Sequence, residues 1–239
     1  MEIIGIIPAR YASTRFPGKP LANIRGKSMI QRVFEQACKA QLLQSVYIAT
    51  DHELIAEHAS SFTKNIIITA DTHQTGTERC AEAIMIIDTK ANAVINIQGD
   101  EPYIFPQQID TVAAMLKENN DAIVTLKKRI SSNSPLIDNP NTVKVTTTLN
   151  DDALYFSRSP IPYNRSGNTI DYFKHIGIYG FPIDILNQIV KLPPSPLEQS
   201  ELLEQLRWLE NGYRIKVGIT EYESQAVDTP EDIDLLPNN

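Results

Sequence analysis

Through the first half of the chain, short apolar runs rich in Ile and Val alternate with segments whose apolar positions recur every three or four residues. The runs Ile3–Pro8, Val46–Thr50, Ile66–Thr69 and Ala93–Ile97 predict strands. The helical spacing predicts helices over Met29–Ala40, Leu54–Phe62, Glu78–Ile87 and Gln107–Glu118. Continuously apolar strands separated by amphipathic helices call for a mostly parallel central sheet flanked by helices, an α/β fold.

The pattern changes after about Asp121. Val143–Thr148, Ala153–Ser157 and Tyr172–Phe181 predict strands, with Pro- and Asn-rich turns between them and little helix. This predicts an antiparallel β lobe over residues 127–181, inserted into one domain spanning residues 1–239. Helical spacing returns at Glu198–Leu209, where Leu202, Leu206 and Leu209 form a core stripe opposite Glu201, Glu204 and Trp208. A strand at Arg214–Ile219 and a short helix after Asp228 close the chain. Ligands of open α/β sheets gather beyond the carboxyl ends of the strands. That rule directs attention to Pro8–Lys19, Gln98–Glu101 and Asp228.

Composition narrows the class. At 42% hydrophobic and 21% charged, the chain is ordinary for a globular protein. No apolar run approaches the roughly 20 residues of a membrane span. The first residues run into a strand without the basic start of a signal peptide. Cys38 and Cys80 give neither a metal spacing nor a disulfide framework, and both fall in helical patterns, where buried free thiols are common. These features predict a cytoplasmic protein with no membrane partner. A net charge of −7 argues against nucleic acid. An anionic small substrate would then need locally gathered cations or a borrowed metal.

Such a gathering occurs in the first loop, Pro8–Lys19, which is long for a strand-to-helix connection and carries Arg10, Ser13, Thr14, Arg15 and Lys19. Arg forks, a Lys point charge and free backbone N–H groups suit phosphates, although a solvated basic loop has the same composition. It is neither the dinucleotide glycine fingerprint nor a P-loop. Gln98-Gly99-Asp100-Glu101-Pro102 follows a predicted strand, where Asp100 could hold Mg²⁺ through one oxygen or simply punctuate a turn. In Val227–Asp232, Thr229 fits an N-cap, Pro230 the first helical position, and Glu231 and Asp232 the first turn. Capping leaves Asp228 over, a candidate second metal ligand.

Three further segments carry candidates. His175 and Tyr179 share one strand face and Ile176 and Ile178 the other, which suits a sugar pocket or a half-buried structural pair. Ser195–Glu198 is a capping box opening the helix that bears Glu204 and Gln205. Thr75-Gly76-Thr77-Glu78-Arg79 opens another helix, where free N–H groups and Arg79 could read a base or phosphate, or a threonine could cap.

Taken together, Ile7–Leu21, His73–Arg79, Gln98–Pro102, Ala153–Arg158, His175–Gly180, Ser195–Glu198, Leu203–Arg207 and Val227–Asp232 resemble the 3-deoxy-manno-octulosonate cytidylyltransferases nearly end to end. The first loop is shared across related nucleotidyltransferases, and the later blocks in combination are more specific. The resemblance implies a Rossmann-like nucleotidyltransferase fold and transfer of CMP from CTP to the eight-carbon acid sugar Kdo, or to its 8-amino analogue, for lipopolysaccharide synthesis. It also implies Mg²⁺ on Asp100 and Asp228, and a homodimer formed through the β lobe. By the same resemblance, Arg10, Ser13, Arg15 and Lys19 contact CTP, and Arg15 and Lys19 stabilise the leaving pyrophosphate. Thr75 and Arg79 lie near the cytosine, and Gln98 lies between the substrates. Arg165, His175, Tyr179, Glu204 and Gln205 line the sugar site. The segment Ser166–Asp171 is shorter than in some relatives, which bears on how the sugar is held beside Arg165.

Overall fold

A computed structural model of the chain describes residues 1–12, 16–87 and 89–237. β1 (Ile3–Ala9) is buried along almost its whole length. Its side chains alternate between the two faces of a sheet: Ile3, Ile7 and Ala9 join one core, Ile4 and Ile6 the other. A short hairpin, β2 (Asn23–Ile24) and β3 (Lys27–Ser28), leads into α1 (Met29–Ala37), then β4 (Ser45–Thr50), α2 (Glu53–Ser60), β5 (Ile66–Ile68) and α3 (Gly76–Ile86). β6 (Ala93–Asn96), α4 (Pro106–Glu118), β7 (Ile123–Ile130), β8 (Lys144–Thr147), β9 (Ala153–Ser157) and β10 (Tyr172–Pro182) follow. The chain ends with α5 (Ile183–Ile189), α6 (Pro196–Glu201), α7 (Gln205–Glu210) and β11 (Ile215–Ile219).

The main sheet has the order β11-β7-β10-β6-β1-β4-β5. All of these strands run in one direction except β10, which is antiparallel to both β6 and β7. Helices α1, α2 and α4 cover one face through Val33, Ile55 and Val112. Helices α3, α5 and α7 cover the other through Ala83, Leu186 and Trp208. The α/β class predicted by periodicity is the class observed. Among the described residues, no helix is long and apolar enough to cross a membrane.

The second half departs from its predicted elements in two places. Residues 123–130, given no strand by the pattern, form β7, deep in the main sheet. Lys127 obscures its pattern: the side chain is 3% exposed and its ammonium is bound to Asp151 Oδ1 (2.8 Å) and Thr147 Oγ1 (2.7 Å). β8 pairs with β10 and with β9, so these antiparallel strands extend the main sheet from β10.

The second departure is the helix expected at Glu198–Leu209, which breaks in two. Leu202 adopts φ 54°, ψ 50°, a left-handed conformation that no helix continues through. Leu202 is therefore exposed, and Trp208, expected opposite the core, is buried beside Leu206. Cys80 is buried, whereas Cys38, just past α1, is exposed.

Candidate active site

A cleft of about 260 Å³ opens at the carboxyl ends of β1 and β6, beside the start of α3. Arg10, Lys19, Thr75, Arg79, Gln98, Asp100 and Asp228, all singled out by sequence, line it together. Ser13 and Arg15 lie outside the described residues. Lys19 starts a short 3₁₀ turn, Lys19–Leu21, after Gly18, whose φ of 69° a glycine adopts without a Cβ clash. The Gly18 N–H donates to Tyr11 O at 3.0 Å, and the Tyr11 ring stacks on His52 at 4.1 Å between centroids.

The loops after β1 and β6 meet main chain to main chain. A Cβ on Gly99 would stand 2.7 Å from Pro8 O, so only glycine allows this approach. Val227 N–H in turn donates to Asp100 O at 2.9 Å. Lys19 Nζ occupies the centre of this arrangement, bonded to Asp100 Oδ2 (2.8 Å) and Val227 O (2.8 Å) and 3.9 Å from Asp228 Oδ1. Asp232 accepts the backbone N–H groups of Asp228 and Thr229 at 2.8 Å each, which sets Asp228 at the cleft rim. Thr229 caps the 3₁₀ turn Pro230–Ile233, as the spacing predicts.

Asp100 and Asp228 thus converge on one positive point. Among the described residues, no group of three His, Cys, Asp or Glu side chains could complete a metal cage. Two carboxylates with the remaining ligands left to water and phosphate fit Mg²⁺, which is held by one or two carboxylates plus substrate oxygens. Glu101, next to Asp100, accepts a hydrogen bond from Ser224 Oγ, and burial pushes its carboxyl up to about 7.

At the start of α3, Thr75 is the N-cap, its Oγ1 accepting from Glu78 N at 3.2 Å while Glu78 reaches back to Thr75 N. Arg79 is 3% exposed and donates to Thr69 Oγ1 (2.5 Å), Ala70 O (3.2 Å) and Asp51 Oδ2 (2.7 Å). It forms one wall of the cleft and ties α3 to the ends of β4 and β5.

The His175–Tyr179 block sits where β10 leaves register. Between Ile176↔Leu126 and Tyr179↔Thr125, three residues of β10 advance against one of β7. The Thr125 hydroxyl donates across the irregularity to Ile178 O at 2.7 Å and is 2.9 Å from His175 Nε2. That oxygen therefore accepts from Nε2–H. Burial, reinforced by neighbouring Lys174, lowers the His175 pKa to about 3, so the ring is neutral. His175 and Tyr179 share a face, 5.3 Å apart, and Ile176 and Ile178 join the opposite core.

Tyr179 packs edge-on against Trp208 and carries a buried hydroxyl that has no hydrogen-bond partner among the described residues. Burial, with the Glu204 charge nearby, holds its pKa well above the usual phenol value. Gln205 is buried and Glu204 is half-buried. The Glu204 carboxyl is raised by that burial and accepts from Thr77 Oγ1 at 2.8 Å. Arg165 is exposed on the loop between β9 and β10 and is not among the residues lining the cleft.

Sequence reasoning gave no site role to Asn96, to His73 or to Thr77, the last weighed there only as a helix cap. Asn96 closes β6 opposite Tyr179, lines the cleft, and has a buried Oδ1 with no partner among the described residues. Its signal was a lone amide at the end of an apolar strand. His73 lines the cleft with Nε2 2.5 Å from Glu82 Oε2.

Cations and carboxylates facing one another at strand carboxyl ends of an α/β sheet stand where ligands of such sheets bind, and their charges suit an anionic ligand. The family model for cytidylyltransferases matches residues 4–216. Curated relatives called 3-deoxy-manno-octulosonate cytidylyltransferase include one from Parabacteroides distasonis, 49% identical over 98% of this chain and 96% of its own. Another, from Bacteroides thetaiotaomicron, is 47% identical with the same coverage. A solved structure of CMP:2-keto-3-deoxy-manno-octonic acid synthetase complexed with CTP superposes with a TM-score of 0.93 at 38% identity, covering 98% of this chain and 96% of that one. The chain belongs to the cytidylyltransferase family, and within it to the 3-deoxy-manno-octulosonate cytidylyltransferases.

Proposed function

We propose that the chain transfers CMP from CTP to the anomeric hydroxyl of Kdo, giving CMP-Kdo and pyrophosphate for lipopolysaccharide synthesis. The observation that carries this reading is Lys19 set between Asp100 and Asp228 in the cleft, in a chain 49% identical to a relative of that activity. Two anions must meet in this reaction, so the work is mainly positioning and charge neutralisation. Arg10 and Lys19 at the cleft suit the triphosphate, with Ser13 and Arg15 from the same loop. Lys19 and Arg15 stabilise the departing pyrophosphate.

Mg²⁺, held by Asp100 and Asp228, supplies charge neutralisation and a lowered pKa at the attacking hydroxyl. Thr75 and Arg79 border the nucleotide base, and Gln98 stands between the substrates. His175, Tyr179, Glu204, Gln205 and Arg165 hold the sugar. His175 serves there as a neutral hydrogen-bonding group, its tautomer fixed by Thr125. The antiparallel strands of residues 127–181 form the interface of a cytoplasmic homodimer.

Pyrophosphate release with CTP and Mg²⁺ against Kdo, 8-amino-Kdo and sialic acid tests the reading. Fast release with Kdo alone is expected, and no release with any of the three overturns it. Sedimentation of the purified protein tests the dimer, and a monomer at micromolar concentration removes it.

A further inference from the structure

The segment Thr75–Arg79 is explained so far by the nucleotide, yet one of its side chains turns away from that role. Thr77 is 3% exposed, and its hydroxyl donates to Glu204 Oε2 at 2.8 Å, across a separation of 127 residues. Thr75, the N-cap of the same helix, spends its hydroxyl oxygen on Glu78 N at 3.2 Å. Glu204 therefore sits on the first turn of α3, where the helix dipole and the Thr77 hydroxyl favour a carboxylate.

Glu204 reaches that position because the chain turns sharply at left-handed Leu202 before α7 begins. A half-buried carboxylate with long-range partners does not hold one geometry unaided. Nearby Arg207 is engaged elsewhere, forked onto Glu198 at 2.6 and 2.7 Å. The Thr77 hydroxyl of α3 is the group that orients the Glu204 carboxylate.

We infer that Thr77 is a positioning residue for the sugar half of the site, fixing the Glu204 carboxylate from the helix whose first turn borders the nucleotide. This rests on the reading that Glu204 lines the sugar pocket. Thr77 touches neither substrate and acts through Glu204. A buried hydroxyl that bonds a carboxylate contributes more than a neutral pair, so its loss should be visible in sugar binding.

The test uses the full-length enzyme in steady-state pyrophosphate release, with CTP and Kdo varied separately. Thr77→Val keeps the shape and removes the hydroxyl. It should raise the KM for Kdo about tenfold and leave the KM for CTP within about twofold, given the cost of one charge-assisted hydrogen bond. Thr77→Ser should return the KM for Kdo to within about twofold of wild type, because it restores the donor. Thr77→Ala is the second variant should Val disturb α3, with melting temperature recorded for each.

Glu204→Gln separates the inference from the reading beneath it. A raised KM for Kdo in Glu204→Gln with none in the Thr77 variants overturns the inference alone. An unmoved KM for Kdo in Glu204→Gln removes Glu204 from the sugar pocket and overturns both. Equal rises in the two KM values in Thr77→Val, unrescued by Ser, mark a general defect of α3 and also overturn it.

Discussion

Around Lys19 the chain is held main chain to main chain: Gly99 lies against Pro8 O, Val227 N–H bonds Asp100 O, and Gly18 closes on Tyr11 O. Around Tyr179 side chains do the holding. Tyr179 packs on Phe181 and Trp208, His175 meets Phe156 edge-on, and Glu204 hangs from Thr77. Backbone contacts fix where loops stand and leave little to adjust. Side-chain contacts can be altered one at a time. Substitutions at the first end should therefore act on turnover, and substitutions at the second on sugar affinity or stability.

The largest effect expected is from Asp100→Asn, which should lower kcat by about 10²–10³-fold or more, the cost of removing one group that organises transition-state charge. Circular dichroism should remain native, because Asp100 is partly exposed and its backbone bond to Val227 persists. Near-normal turnover would remove Asp100 from the metal site. Gly99→Ala comes next. Its Cβ would stand 2.7 Å from Pro8 O, so the two loops must part. A shift of that order costs about 10²-fold in kcat/KM, and kinetics within twofold of wild type would show that the close approach is dispensable.

At the other end the expected changes are smaller. His175 is neutral in the fold with its pKa lowered by burial to about 3 from the ordinary imidazole value of 6.5, so the unfolded chain binds the extra proton as pH falls. Stability from this group is present above about 6.5 and is lost as pH drops toward 3. Between pH 7 and 5 the gap in unfolding free energy between wild type and His175→Asn should shrink by up to about 2 kcal/mol. Guanidinium titrations at the two pH values measure it, and a gap independent of pH would contradict a neutral buried ring. Smallest is Tyr179→Phe. Removing a buried hydroxyl that has no partner among the described residues should leave stability unchanged or raise it by about 1 kcal/mol. The KM for Kdo should rise with that for CTP unmoved, and equal shifts in both would blur the division between the two ends.

The parts legible in the sequence were those set by local rules. The β1, β4 and β6 strands followed from apolar runs, and Thr75, Ser195 and Thr229 from capping spacing. The placement of Asp100 and Asp228 opposite Lys19 followed from the strand-end rule. What escaped depended on distant partners. β7 was hidden because buried Lys127 looks like a surface residue until Asp151 is beside it. The break at Leu202 was hidden because a leucine in a left-handed conformation has no local signature. Thr77 fell inside a motif already noticed, but its partner lies 127 residues away.

The position of β10 matters for how the polypeptide is made. Of the three strands at the middle of the sheet, β6, β10 and β7, the one that joins the other two is synthesised last. Until Tyr172–Pro182 emerges, the inner edges of β6 and β7 have no partner. Unpaired strand edges recruit other chains, so a nascent chain halted before this strand presents two sticky edges in place of one closed sheet.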